Sequence, residues 1–213
     1  MTAESWFYSL EIYSRNSRIR GSRFFTRFKL KIFDKIMIDL DKCRLTFWPE
    51  PVLLEKAKEV EKIDDNIRAF VDKMLDIMVE SNGIGLAAPQ ANAGIRIFVV
   101  SLKADREKAT VFINPELKLS GEVTGMEEGC LSVPGINPKI ERPSKVSVTA
   151  LNLDGERFTL QAEGLLAKCV QHENDHLNGK TIIERISRIS KLRFRTQIEQ
   201  LKEDLRSRQG SDE

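Results

Sequence analysis

EGLLAKCVQHENDHLNGK, residues Glu163 to Lys180, sets His172 and His176 four positions apart with Glu173 beside the first. At about 3.6 residues per helical turn, that spacing turns both imidazoles to one side of a helix, one above the other. Two neutral ring nitrogens placed so can grip one divalent ion, and the neighbouring carboxylate can serve an activated water as general base. The pattern HExxH also arises by chance on solvated helices. Here the whole chain holds only two histidines, and both are in this stretch. A catalytic metal site usually takes three protein ligands, so the third must be Cys, Asp or Glu.

Working outward, 213 residues suit one domain with a sizeable core and leave room for an extra segment. A hydrophobic content of 41%, 31% charged residues and a net charge of +2 are those of a globular protein without general affinity for polyanions. No specific nucleic-acid partner is expected. No apolar run approaches the roughly 18 residues of a membrane span. Three cysteines, Cys43, Cys130 and Cys169, make no disulfide framework and suit a reducing setting in which a thiolate can be a ligand.

Residues 1–36 carry Arg15, Arg18, Arg20, Arg23, Arg27, Lys29, Lys31 and Lys35 against Glu4, Glu11 and Asp34, with interspersed Ser, Phe and Tyr. That composition resembles an organellar transit segment. The simpler expectation is an upstream extension or disordered arm before a second start at Met37. A catalytic domain is expected over 37–206 and a flexible tail over 207–213.

Pro49 to Val60 reads as an extended lead-in and a polar segment. Ile67, Phe70, Val71, Met74, Leu75 and Met78 then recur at helical spacing behind a cap at Asp64 or Asp65. GIGLAAPQ, Gly83 to Gln90, is too rich in small residues to suggest a regular element. Strands are expected over Ile95–Leu102, Thr110–Ile113 and Glu116–Ser120, with a long irregular stretch from Glu122 to Pro138. Val146, Val148 and Ala150 alternate in one strand and Phe158, Leu160 and Ala162 in the next, joined by a turn at Asp154-Gly155. Ile186, Ile189, Leu192, Ile198, Leu201 and Leu205 suggest one last amphipathic helix with a basic outer face. The sum is α+β: short antiparallel sheets packed against a central metal-binding helix, with an N-terminal and a C-terminal helix.

Cys169, three residues before His172, lies on the metal-facing side but about 10.5 Å along the axis from His176. A short thiol there cannot join a point between the two rings at about 2.3 Å, so packing or pocket wall is its expected role. Cys130 sits in a loop free to fold over the helix. Two other classes remain open on spacing alone. A zinc peptidase would draw its third ligand from Glu199 or Glu203, and its alternative third-histidine position is Ile182. A structural module would need a fourth ligand, Cys43 or Cys169.

Three stretches together resemble the peptide deformylase family: GIGLAAPQ, EGCLS at Glu128 to Ser132, and QHENDH at Gln171 to His176. The similarity runs from about Leu45 to the final helix. The resemblance implies metal ligands at Cys130, His172 and His176, an acid/base at Glu173, and oxyanion donors at the Gln90 side chain and the Leu131 backbone N–H. It implies removal of the formyl group from the N-terminal formyl-methionine of newly made proteins, with release of formate. It also implies a methionine pocket walled by Ile84, Gly85, Met126, Leu165 and Cys169. Fe²⁺ is the ion the family implies, although two nitrogens and a sulfur also suit Zn²⁺, Ni²⁺ or Co²⁺. Two positions depart from the pattern: Asn137, where some members have an arginine, and Lys168, where many have an apolar residue. Asp175, Gln171 and Glu128 are expected to support the site at most, Asp175 through a basic partner such as Arg142 or as an exposed carboxylate. The expected partners are N-formyl-methionyl nascent peptides, with a transient ribosome contact through the basic final helix. The expected location is the cytoplasm, or an organelle if residues 1–36 direct import.

Overall fold

The computed structural model describes residues 37–209; the basic arm and residues 210–213 lie outside them. Helix α1 is Pro51–Leu54, a single turn inside the segment expected to be extended, begun by a proline at its first position and buried through Leu53. Helix α2, Asp65–Glu80, starts where the Asp64 carboxylate accepts the backbone N–H of Ile67 at 3.2 Å. Its six apolar stripe residues are all buried.

Five strands follow in a meander whose neighbours are all antiparallel: β1 Gly85–Ala87, β2 Ile97–Val100, β3 Thr110–Glu127, β4 Lys139–Leu151 and β5 Arg157–Glu163. Two expectations about loops are corrected. GIGLAAPQ is regular after all, since it forms β1 and a short 3-10 helix over Ala88–Ala91. Strand β3 continues through the segment expected to be irregular from Glu122, leaving only residues 128–138 between strands. Most side chains from Lys118 to Glu127 are exposed, so the sequence carries no buried alternation there. Pairing with β4, through Val123↔Pro143 and Met126↔Ile140, holds the strand.

Alternation on β2 divides the core. Ile97 and Val99 face α2, whereas Phe98 and Val100 face the opposite cluster with Val146, Val148, Ala167 and Val170. Phe98 stacks on Phe112 with ring centroids 4.6 Å apart. Truncating either buried ring to alanine would cost about 3–5 kcal/mol.

Helix α3, Gly164–His176, leaves β5 without an intervening loop. Gly164 makes this abrupt passage at φ +59°, a backbone that side-chain-bearing residues rarely adopt. Beyond α3 the expected single helix is instead three: α4 Ile182–Arg185, α5 Arg188–Arg193 and α6 Arg195–Gln209. Thr181 and Glu184 form a capping box on α4, and Ser187 caps α5 through the Ser190 N–H. These interruptions split the stripe. Ile186, Ile198 and Leu201 are buried, while Ile189 and Leu192 are 81% and 71% exposed. Among the described residues no helix is long and apolar enough to cross a membrane. The architecture is α+β, as the element pattern indicated.

Candidate active site

Five residues of α3, namely Leu165, Lys168, Cys169, His172 and Glu173, line one cleft of about 420 Å³. They fall at i, i+3, i+4, i+7 and i+8, the face a helix presents to one side. His176, one turn beyond His172, is fully buried behind it, with the two ring centroids 5.1 Å apart. The facing wall is the 128–138 loop. Val133 and Ile136 anchor it in the core, and Trp48 N–H donates to the Ser132 carbonyl at 2.9 Å.

This loop delivers Cys130, whose Sγ is 3.3 Å from His176 Nε2. The three ligating atoms of Cys130, His172 and His176 all lie within 4.8 Å of one another. Two imidazoles and a thiol converging in a buried place form a donor set that suits one divalent transition-metal ion. His176 Nδ1 and Glu173 Oε2 are buried and find no hydrogen-bond partner among the described residues. The other candidates stand elsewhere. Cys169 Sγ lies 3.7 Å from the Ile84 carbonyl, Cys43 Sγ lies 3.7 Å from the Asp39 carbonyl, and Glu199 pairs with Lys202 on the exposed side of α6.

A buried ionic chain supports the rings. Arg142, 3% exposed, donates to both oxygens of Glu128 at 2.7 and 2.9 Å and to Asp175 at 2.7 Å. Glu128 Oε2 is 3.2 Å from His172 Nδ1, which orients that ring. Asp175 also takes the Arg185 guanidinium, so it is the paired carboxylate rather than an exposed one. Gln171 donates its amide to the Pro143 and Ala167 carbonyls, joining α3 to β4.

Burial works against the Glu128 carboxylate, yet hydrogen bonds with His172 and Arg142 hold it below the usual range. Burial also opposes charge on His172, but contacts with Cys130 and Glu128 prevail and raise it well above its ordinary value. His176 is driven down by burial and by the charge on His172. Glu173 is pushed up to about 7, chiefly by burial.

The cleft is lined by Ile84, Gly85, Gln90, Met126, Cys130, Leu131, Leu165, Cys169, His172 and Glu173, while His176 lies outside its lining. A Cβ on Gly85 would lie 2.5 Å from Glu173 Oε1 and 2.9 Å from Cys169 Sγ. Only a bare backbone fits against that carboxylate. Gln90 accepts the Ala87 N–H at 2.8 Å through Oε1, leaving Nε2 near Ser132 Oγ at 3.2 Å and Cys130 Sγ at 3.6 Å. Ser132 thus positions Gln90, a role that only its place in EGCLS could have signalled. Asn137 lines the cleft from within the 128–138 loop. Lys168 is buried in the wall and donates to the Thr124 carbonyl; its place on the helical stripe could have signalled this.

A helix bearing HExxH, a loop thiol and a buried carboxylate above a cleft define the class: a metal-dependent hydrolase of α+β fold. The polypeptide deformylase family model matches residues 43–192. Peptide deformylase 1 of Pseudomonas syringae pv. tomato is 48% identical over 153 residues, spanning 71% of this chain and 91% of that protein. Among solved structures, a plant peptide deformylase superposes with TM-score 0.78 at 31% identity, covering 82% of this chain and 96% of that one. A peptide deformylase from Plasmodium falciparum superposes with TM-score 0.74 at 38% identity, covering 77% and 98%. The chain belongs to the polypeptide deformylase family.

Proposed function

We propose that the protein hydrolyses the formyl group from the N-terminal formyl-methionine of newly made proteins, giving formate and a free amine. The convergence of Cys130, His172 and His176 beside Glu173 at one end of a cleft, in a chain of this family, carries that reading. Cys130, His172 and His176 would hold the metal, which when bound supplies Lewis acidity and lowers the pKa of a water ligand towards about 7.

Glu173 takes the proton of the attacking water on its carboxylate and passes it to the departing amine nitrogen. A carboxyl pushed up to about 7 is matched to both halves of that task. The formyl oxygen gains charge as water adds. Gln90 Nε2 and the Leu131 N–H donate to it, each such donor being worth about 2.7–4 kcal/mol of barrier. Gln90 is held in place by the Ala87 N–H, which donates to its Oε1.

Ile84, Gly85, Met126, Leu165 and Cys169 receive the methionine side chain. Strand β1 ends the five-stranded order, so the Ile84–Gly85 backbone has an edge on which an extended peptide can pair. Glu128, Arg142 and Asp175 act through His172 as positioning residues. The catalytic domain spans 37–206 in this reading, within the cytoplasm. The basic face of α6 is its contact for the ribosome.

Fe²⁺ is the ion we assign. The iron form is expected to lose activity on storage in air, through oxidation of the iron or of Cys130; unchanged activity of an iron-loaded sample would count against that expectation. The function is tested by formate release from formyl-Met-Ala-Ser beside an unformylated peptide and a metal analysis. Formate alone is expected, whereas internal peptide cleavage would replace this reading with a peptidase.

A further inference from the structure

We propose that Lys168 supplies the cleft with a hydrogen-bond donor through which this chain accepts N-formyl-methionine sulfoxide, as well as N-formyl-methionine, as the first residue of its substrate. The inference rests on the deformylase function proposed above. Lys168 is only 6% exposed and lines the cleft. It shares a helical face with Leu165, Cys169 and His172, about 6 Å along the axis before that histidine. The Lys168 side chain therefore borders the wall assigned to the first side chain, with its ammonium at the Thr124 carbonyl.

An ammonium has three donors and no acceptor. One donor goes to the Thr124 carbonyl on β3, which ties α3 to the strand that carries Met126. Among the described residues, Lys168 makes no ion pair with a carboxylate. Of the two buried acids lining the same cleft, Glu128 is already taken by Arg142 and His172, and Glu173 forms no ion pair with Lys168 among the described residues. Leu165 and Met126, on the same wall, bring no strong acceptor. The Thr124 carbonyl takes one of the three donors, so a ligand that brings an acceptor to another gains more here than it would against an apolar wall.

A wall that takes methionine selects an unbranched side chain of that length. Methionine's thioether is a weak acceptor. Its sulfoxide keeps the length and adds one strongly accepting oxygen, whereas oxidation ordinarily disfavours entry into an apolar pocket. The reaction itself is unchanged: water adds to the formyl carbon, the C–N bond breaks, and the amine leaves with a proton.

Formate release is measured on the full chain with formyl-Met-Ala-Ser, its sulfoxide, and formyl-norleucine-Ala-Ser, using wild type and Lys168→Met. In wild type the sulfoxide should react within about tenfold of methionine in kcat/KM. In Lys168→Met the sulfoxide-to-norleucine ratio should fall about tenfold or more, the effect of one hydrogen bond to a charged group. Because the readout is a ratio within one protein, a general loss of activity cancels. An unchanged ratio overturns the proposal. So does a wild type that reacts with the sulfoxide more than about a hundredfold slower than with methionine, whether or not the variant folds. No formate from any of the three peptides would instead remove the deformylase function itself.

Discussion

The two walls of the cleft are built differently. On the helical side one α-helix supplies Leu165, Lys168, Cys169, His172 and Glu173 at helical spacing, so a single element sets every direction. The loop side has no regular structure from residues 128 to 138 and takes its shape from buried anchors, Val133 and Ile136, and from backbone bonds such as Glu128 N–H to the Pro138 carbonyl at 3.0 Å. The helix places two donors but cannot supply a third at the same point, because its thiol, Cys169, lies a turn too early. A flexible connection pinned at both ends can. The loop therefore brings the sulfur, and the helix keeps the carboxylate.

The widest test of that division is a pair of cysteine substitutions. Cys130→Ala should lower bound metal towards zero and abolish formate release, while Cys169→Ala should retain metal by elemental analysis; the reverse outcome would break the contrast between walls. Glu173→Ala should keep its metal yet slow formate release about 10²- to 10⁴-fold, as expected for a lost general acid–base. Turnover at the parental rate would take that residue out of the chemistry. On the opposite side of the donor set, Gln90→Ala should reduce kcat about 10²- to 10³-fold with little change in KM. A change in KM alone would make it a binding residue.

A smaller effect concerns stability without metal. The Glu173 carboxyl rises from the ordinary 4.5 to about 7 on burial, so the folded state binds its proton more tightly than the unfolded one does. That group's favourable contribution is complete below about 4.5 and is lost as pH rises to about 7, a difference of roughly 3 kcal/mol. The melting temperature of metal-free protein should therefore fall across this window, and Glu173→Gln should flatten the fall. Parallel curves for the two proteins would mean the carboxyl titrates normally. Smallest of all, Cys169→Ser should keep metal and shift kcat/KM for formyl-methionine by no more than about tenfold, since it alters only a wall contact.

How far each region was legible depends on whether its signal is local. The α2 stripe from Ile67 to Met78 was plain, because every third or fourth residue meets the same core. The second half of β3 was not. Its side chains are mostly exposed, and only the partner strand tells it from a loop. The terminal apolar positions misled for the converse reason. Ile189 and Leu192 keep helical spacing with Ile186 but face solvent, because α5 is too short and too separately capped to continue the buried face. Within the site, the histidine pair was legible from spacing and Cys130 only from the company of its motif. Of the buried ionic chain, the Arg142–Asp175 link and a supporting place for Glu128 were conceivable in advance; that Arg142 holds Glu128, and that Arg185 joins Asp175, were not visible.

Alone, the order of residues determined where helices turn apolar faces inward, that two imidazoles share one side of α3, and that no third histidine exists to join them. Spacing along a regular helix converts directly into direction, so these features needed no partner. Tertiary structure alone decided that residue 130 reaches across to the rings, that Arg142 binds Glu128 and Asp175 together, and that a bare glycine lies against Glu173. Those distances join segments tens of residues apart, and loop paths between them are set by what the anchors bury rather than by any local repeat.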